Sequence, residues 1–450
     1  MIESVIFFFS GSGMVMLFIL FMRINVVGSK SKLVKHRSKE PGFVDLLIYA
    51  SVVDDGVIVG KDGSLMAAWA YQGVDSNSST EAERDQVSLQ INHALSRMGS
   101  GWMIHIDAVR KPAPGYCAKD DSHFPDPVSA AIDEERREFF ERVGTLYESN
   151  YVITATYLPP LLAQQKFVEL MFDDEGVPVD SKTRTIALLN HFKRECANIE
   201  SHLSSVFRMK RLKGKTITKE DNSSVNYDAF LRWIQFCISG LDHPVILPKN
   251  PIYLDALLSG QEFWGGVVPK IGQNFIQVVS IEGFPLASSP GLINSLADLP
   301  CLYRWSTRFI FMDTHEAVGH LEKFSKKWKQ KIRSFFDQAF NSHSSHVDQN
   351  AMNMVSDAQA AIAETNSGEV AQGYYTSVVV LMSESRGDLE ASARQVAKAI
   401  NHLGFAARIE SINTIDAYLG SLPGHGVENV RRPLLNTMNL ADLMPSNTVW

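Results

Sequence analysis

The chain has 450 residues, of which 21% are charged and 45% hydrophobic, and its formal net charge is −7. A chain of this length is typical of about three globular domains, and its negative charge argues against a general electrostatic attraction to nucleic acid. The four cysteines are widely spaced, which argues against a disulfide framework and against a zinc site. The composition therefore favours a reduced, cytosolic setting.

Residues 1–24 are predicted to form a transmembrane anchor. Val5–Met22 contains no charged residue, and about 18 apolar residues are the minimum for a helix that spans a membrane. The side chains predicted to anchor this helix are Val5, Phe9, Leu17 and Phe21. Residues 25–42 are predicted to form a basic juxtamembrane linker, and the positive-inside rule then predicts that the rest of the chain lies in the cytoplasm. The alternative is a signal peptide, but the segment lacks an initial positive charge and a cleavage pattern.

Residues 43–160 are predicted to form an N-terminal α/β module. Two apolar runs flank Lys61-Asp62-Gly63, a pattern typical of a β-hairpin. A helix over residues 80–98 follows, and Thr80 with Glu83 forms a capping box at its start. The other elements predicted here are a strand at Trp102–Val109, a helix from Asp126-Pro127 to about Glu148 and a strand at Tyr151–Tyr157.

Residues 161–300 are predicted to be helical at first and then rich in loops. Ile186–Phe207 has apolar residues three or four apart, which indicates a long amphipathic helix. A further helix or pair of helices is predicted at Asp221–Gly240. Residues 243–300 contain many Pro and Gly residues and are interpreted as a connecting segment.

Residues 301–420 are predicted to form a C-terminal α/β module. Its predicted elements are strands at Thr307–Met312, Tyr375–Met382 and Phe405–Ile412 and helices at His315–Phe340, Val347–Glu364 and Asp388–Leu403. This order indicates a sheet with helices on one face, ferredoxin-like in outline. The predicted fold class is therefore α/β (α+β), with an N-terminal transmembrane helix followed by α/β modules.

The sequence contains no complete catalytic or nucleotide-binding motif, and we predict no catalytic, cofactor-binding or metal-ligating residue. A phosphate-binding loop would need glycine where Met209 precedes Gly214-Lys215-Thr216. Phe309–Asp313 has the pattern of a Walker B strand, but no phosphate-binding loop precedes it. His315 and His320 are one position too far apart to share a helix face, which excludes an HExxH zinc site.

The C-terminal segment carries the most specific pattern in the chain. It contains Leu419-Gly420-Ser421-Leu422-Pro423-Gly424, then Arg431-Arg432-Pro433, then Asn439-Leu440-Ala441-Asp442-Leu443. These stretches resemble the VirB4/TrbE family of conjugal transfer ATPases of type IV secretion systems, in which they lead into the ATPase domain. The resemblance covers roughly residues 43–450. It implies the N-terminal region of such an ATPase, on the cytoplasmic side of the bacterial inner membrane.

The resemblance also implies that the P-loop domain is missing from this chain. ATP and Mg²⁺ are therefore expected in that missing domain, and no cofactor is expected here. Residues 421–450 are interpreted as a hinge toward the ATPase domain, because Gly and Pro interrupt helix and strand in this region. The residues predicted to form the hinge or an interface are Gly420, Pro423, Gly424, Arg431 and Arg432.

The function predicted from these features is a docking or scaffold region that links the ATPase motor to the inner-membrane complex. Its expected partners are other inner-membrane subunits of the secretion system and further copies of itself. One alternative is an enzyme, half of a split ATPase completed by a separate P-loop polypeptide. A second alternative is a membrane-anchored DNA-binding module that uses the basic helix around Lys326, although direct contact with nucleic acid is not the favoured prediction.

Overall fold

The computed structural model describes residues 42–73, 78–159, 179–218, 224–248, 252–285, 288–339, 349–429 and 433–446. The chain divides into two units, Met1–Leu47 and Ile48–Trp450. The described portion of the first unit contains a short helix, α1 (Phe43–Leu46). The remaining described elements belong to the second unit.

The strands of the second unit are β1 (Tyr49–Asp54), β2 (Val57–Gly60), β3 (Leu65–Gln72), β4 (Trp102–Pro112), β5 (Tyr147–Tyr157), β6 (Arg208–Arg211), β7 (Gly214–Thr218), β8 (Ser224–Asp228), β9 (Ile246–Leu247), β10 (Phe263–Trp264), β11 (Lys270–Ile271), β12 (Asn274–Gly283), β13 (Tyr303–Phe311), β14 (Gln372–Ser383), β15 (Ala406–Ile409) and β16 (Leu434–Asn436).

Its helices are α2 (Glu81–Leu95), α3 (Pro127–Val143), α4 (Val179–Leu203), α5 (Ala229–Ser239), α6 (Leu254–Leu258), α7 (Thr314–Ala339), α8 (Gln349–Ser367), α9 (Arg386–His402), α10 (Thr414–Leu419) and α11 (Thr437–Asp442). Two short 3₁₀ helices lie at Lys119–Asp121 and Asn294–Asp298.

Thirteen of the described strands form one antiparallel sheet. Its main path runs β1-β2-β3-β5-β4-β13-β14-β12-β11-β10, and β6, β16 and β15 pair with β3, β14 and β12. The central pairing joins β4 to β13, from Tyr303 opposite Arg110 to Ile310 opposite Met103. Strands from the first third of the chain are thus hydrogen-bonded to strands from the last third. β7, β8 and β9 form a separate small sheet.

One face of the large sheet carries the main hydrophobic core. Successive side chains of a strand point to opposite faces, so Ile104 and Ile106 of β4 lie on the same face as Trp305 and Phe309 of β13. Four helices cover this face with buried apolar side chains, namely α2, α4, α9 and α11. The opposite face of the central strands is polar, and it holds the site described below.

Several local predictions are confirmed. β2 and β3 form the predicted hairpin, and Gly63 adopts the positive φ of +81° that its turn requires. α2 begins at the predicted capping box, in which Thr80 and Glu83 exchange hydrogen bonds. α3 begins after Asp126 as predicted but ends at Val143, because the next residue, Gly144, has φ +79° and β5 then begins.

Two predictions in the middle of the chain were wrong. The helix expected from Asp221 begins only at Ala229, and β8 precedes it. The segment interpreted as a connection contains β12, a strand whose central residues are buried and which pairs with β14. The ten residues of β12 lie between stretches rich in Gly and Pro, and the prediction of a connecting segment rested on the composition of those stretches.

The predicted fold class was also wrong. Among the described residues, no helix is long and apolar enough to cross a membrane. The long helix α7 illustrates the reason, because charged residues such as Glu316, Lys323 and Lys326 recur along it. The predicted anchor Val5–Met22 lies outside the described residues. In place of successive α/β modules, β4 from the first third of the chain and β13 from its last third pair in one antiparallel sheet.

Candidate functional site

Five polar side chains lie side by side on the second face of the central sheet. His105 and Asp107 of β4 alternate with core residues, as do Arg304, Ser306 and Arg308 of β13. The strand register places Ser306 opposite Asp107 and Arg308 opposite His105. All five are at most 4% exposed. Charged side chains are rarely buried to this extent unless they have hydrogen-bonding or ionic partners. Here the C-terminal segment of the chain supplies many of these partners.

Arg304 connects the two strands to residues 418–429, a segment that starts with the last two residues of α10 and is called loop 418–429 below. Its Nη1 donates to Asp107 Oδ1 at 2.8 Å and to the Ser421 carbonyl oxygen at 2.8 Å. Its Nη2 donates to Ser421 Oγ at 2.6 Å. Burial raises the pKa of Asp107, and the positive charge of Arg304 opposes this rise. The ion pair thus keeps a carboxylate inside the protein while the remaining guanidinium donors hold the loop.

The side chain of Arg308 binds backbone carbonyl groups of the same loop. Its Nη1 donates to the carbonyl oxygens of Gly420, His425 and Glu428 at 3.3, 3.1 and 2.9 Å. Its Nη2 donates to the carbonyl oxygen of Asn429 at 3.1 Å. Asn429 is the one described non-glycine residue with positive φ, at +60°. A loop has few regular partners for its carbonyl groups, so one buried guanidinium replaces the hydrogen bonds that a helix or strand would provide.

The glycines of loop 418–429 permit close contact with the sheet. Gly424 has φ +87°, and a Cβ atom at this position would lie 2.2 Å from Met66 Sδ. The hydroxyl of Tyr49 donates to the carbonyl oxygen of Pro423 at 2.8 Å. The structure therefore brings together three of the predicted hinge residues, Gly420, Pro423 and Gly424, in a buried loop. Arg431 and Arg432 lie outside the described residues, and the hinge role stays a prediction for all five.

The described residues that follow are also attached to the sheet. β16 pairs with β14, and α11 packs on the core face. Thr437 Oγ1 donates to Asn92 Oδ1 at 2.6 Å, and the hydroxyl of Tyr71 donates to the carbonyl oxygen of Pro445 at 2.7 Å. Residues 414–429 and 433–446 thus contact both faces of the sheet.

The chemistry of this cluster is that of a structural anchor. Ser421 Oγ donates to the Tyr418 carbonyl oxygen at 2.6 Å and accepts from Arg304, so its hydroxyl is held in place. Burial, followed by the charge of Arg308, lowers the pKa of His105 well below its ordinary value. In the described ranges, no group of three or more His, Cys, Asp or Glu side chains could hold a metal ion. The four cysteines are free thiols.

The sequence patterns considered above did not single out the buried arginines. A signal was nevertheless present, because Arg304, Ser306 and Arg308 occupy alternate positions in a strand whose other residues are mostly aromatic. The same alternation places His105 between Ile104 and Ile106, and Asp107 between Ile106 and Ala108. Such a pattern normally predicts a strand face in contact with water. Here the face is buried, because loop 418–429 covers it.

Two family profiles match the chain. The one described as the N-terminal domain of the type IV secretion system ATPase VirB4/TrbE matches residues 56–165. The one described as the CagE, TrbE, VirB family, a component of the type IV transporter system, matches residues 215–431. The second match includes β13 and all of loop 418–429.

Named relatives agree with these profiles. The chain is 44% identical over 417 residues to the conjugal transfer protein TrbE of Rhizobium radiobacter, covering 92% of this chain and 50% of that protein. In Sinorhizobium fredii (strain NBRC 101917 / NGR234), a probable conjugal transfer protein TrbE is divided between two polypeptides. The chain is 49% identical over 125 residues to the first of them, covering 28% of this chain and 84% of that polypeptide.

The chain is also 45% identical over 260 residues to the second Sinorhizobium fredii polypeptide, covering 58% of this chain and 39% of that polypeptide. It spans about half the length of the Rhizobium radiobacter relative. With two matching profiles and these relatives, the chain belongs to the VirB4/TrbE family of type IV secretion components.

Proposed function

We propose that this chain is a docking platform that links a type IV secretion ATPase to other subunits of the inner-membrane complex. The observation that carries the proposal is an apolar stripe on helix α3 that faces solvent. Large apolar patches on a protein surface mark sites of interaction with other molecules. Family membership supports a partner from the same secretion system.

The stripe runs along the length of α3. Val128, Ile132, Phe139 and Val143 are 66, 52, 55 and 47% exposed. Their spacings of four, seven and four residues place them on one side of the helix. Phe124, which is 45% exposed, lies just before the helix. This surface could bind an apolar helix or strand of a partner subunit.

The other side of α3 is attached to its own neighbouring loop, so the helix has a defined orientation. Arg137 Nε donates to the carbonyl oxygen of Cys117 at 3.1 Å, and its Nη2 donates to Ser122 Oγ at 3.2 Å. The rings of Tyr116 and Phe140 stack with their centroids 5.2 Å apart. A partner would therefore meet a preformed apolar surface, which lowers the entropic cost of binding.

The test replaces Ile132 and Phe139 together by serine in the complete secretion system. Copurification of the other secretion subunits with this chain, measured after cross-linking in donor cells, is expected to fall strongly, with a matching fall in conjugal transfer. Leu89→Ser is the control, because Leu89 is an isolated exposed leucine on α2. Full recovery of every partner with the double variant, at normal expression, would contradict the proposal.

A second candidate is half of a split ATPase that is completed by a separate polypeptide. Its precedent is the Sinorhizobium fredii relative, which is divided between two polypeptides, although both are similar to this chain and the division therefore falls within the region that this chain matches. In this case ATP and Mg²⁺ would bind the polypeptide that carries the P-loop. The test mixes this chain with the segment of the Rhizobium radiobacter relative that it does not match. A rise in ATP hydrolysis above that of the added segment alone is expected, and an unchanged rate would remove this candidate.

A further inference from the structure

A cavity of about 420 Å³ lies on the same sheet face as the arginine cluster. Val109 of β4 and Val152 of β5 form its floor, and the register places both on the face that carries Asp107. Trp233 and Phe236 of α5 form an apolar wall. A volume of about 300–1,000 Å³ is typical of pockets that enclose small organic ligands, so the cavity is large enough for a molecule with a single ring.

The charged side chains around this cavity are mostly positive. Lys111, Arg208, Lys210 and Arg232 line it, and Asp242 is its one carboxylate among the described lining residues. Asp242 is already engaged, because Oδ1 pairs with Arg232 Nε at 2.6 Å and Oδ2 pairs with Lys111 Nζ at 3.3 Å. Asp242 therefore balances the charges of Arg232 and Lys111 and not those of Arg208 and Lys210.

Arg208 and Lys210 supply the uncompensated charge. They occupy alternate positions of β6, so they extend to the same side of that strand, and both are exposed. Within the described ranges neither forms an ion pair. Two neighbouring cations beside an apolar cavity attract an anion, and a guanidinium binds carboxylate or phosphate through two parallel hydrogen bonds.

Trp233 adds a further donor at this place. The residue is 9% exposed, and its indole N–H has no hydrogen-bond acceptor among the residues that the structure describes. A buried donor without an acceptor is costly. An acceptor atom that enters beside the ring would remove this cost.

We propose that this cavity is a binding site for a small aromatic anion, whose ring contacts Trp233 and Phe236 and whose carboxylate or phosphate binds Arg208 and Lys210. The site is independent of the docking surface on α3, since none of the residues that line it belongs to that helix. Carboxylate and phosphate share the required chemistry, and the experiment compares them directly.

The experiment follows the indole N–H signals of the full chain, labelled with ¹⁵N in its seven tryptophans, by NMR. The signal of Trp233 is assigned with Trp233→Phe. Phenyl phosphate and benzoate are the probes, while inorganic phosphate and benzyl alcohol supply the anion or the ring alone. We expect a saturable shift of the Trp233 signal with at least one probe and a clearly weaker response to the two separate components.

Arg208→Gln and Lys210→Gln are each expected to weaken binding of that probe by about tenfold or more, because each removes a charge-assisted hydrogen bond. Arg394→Gln and Lys398→Gln are matched controls on the exposed side of α9 and should leave affinity unchanged. A Trp233 signal that responds to neither probe, or that responds equally to benzyl alcohol, would overturn the proposal. So would an unchanged affinity in both β6 variants.

Discussion

Replacing Arg308 by methionine tests whether the arginine cluster fixes loop 418–429. Arg308 is 2% exposed and donates to four backbone carbonyl groups of the loop. Methionine fills a similar volume but has no N–H group, so the substitution removes these hydrogen bonds with a modest change in packing. The loop carbonyls would then have to remain buried without donors or become exposed to water.

The expected cost combines two opposing effects. Nη1 carries only two hydrogens, so the four contacts amount to about three full hydrogen bonds; at about 1.5–3 kcal/mol for each bond to a charged group, they would contribute at least about 4.5 kcal/mol. The substitution also removes a buried positive charge, which recovers up to several kcal/mol of its desolvation cost. We therefore expect a net loss of about 3–5 kcal/mol, the usual effect of removing one partner from a buried polar network. The loss should be local, because the loop can open while the sheet persists.

Hydrogen exchange measures this local opening. Three amides of the loop donate within it, those of Ser421, Leu422 and His425. A loss of about 3 kcal/mol would reduce their protection by about a hundredfold, while amides of β4 keep theirs. Arg308→Lys, which retains the charge but not the planar array of donors, should give a smaller reduction. Unchanged protection of all three amides in Arg308→Met would refute the structural role of this arginine.

Three further predictions concern the same site. Asp107→Asn should lower the free energy of unfolding in urea by about 3–5 kcal/mol, and adding Arg304→Met should cost less than the sum of the single changes, whereas simple additivity would contradict coupling. His105 has a lowered pKa in the folded state, so its contribution to stability is complete above about pH 6.5 and falls with decreasing pH by up to about 1.4 kcal/mol per pH unit. His105→Gln should therefore make the free energy of unfolding less dependent on pH below this value. An identical pH dependence in both proteins would contradict the prediction. Gly424→Ala should lower the free energy of unfolding in urea by about 1–3 kcal/mol more than Gly144→Ala. Both positions have positive φ, but only a Cβ at Gly424 would meet other atoms. Equal losses would show that the loop moves to make room for the added methyl group.

The elements that were correctly predicted have local causes. Asp62-Gly63 specifies a turn by itself, and Thr80 with Glu83 specifies the first turn of α2 through four consecutive residues. No comparable local signal specifies the pairing of β4 with β13. Residues nearly two hundred positions apart meet there, as Asp107 and Arg304 do, and their register depends on the packing of the complete sheet.

The same limitation explains why the candidate site was only half predicted. Gly420, Pro423 and Gly424 were singled out because their segment resembles the VirB4/TrbE family and is rich in Gly and Pro, but the side chains that bind this segment were not. Arg304 and Arg308 alternate with apolar residues, and such a strand can face water just as well as a covering loop. Only the tertiary structure distinguishes these environments, since the same guanidinium that would be hydrated at the surface here donates to backbone carbonyls.

The contacts of the glycines bear on the predicted hinge. Glycine serves either flexibility or close approach, and the neighbouring atoms distinguish the two. A Cβ at Gly420 would lie 3.0 Å from the Cβ of Asn429, and one at Gly424 would lie 2.2 Å from Met66 Sδ. Both glycines therefore allow close approach in the docked loop. Because movement here would break the hydrogen bonds of Arg304 and Arg308, a hinge at this loop would switch between a docked and a released state, and would not bend continuously.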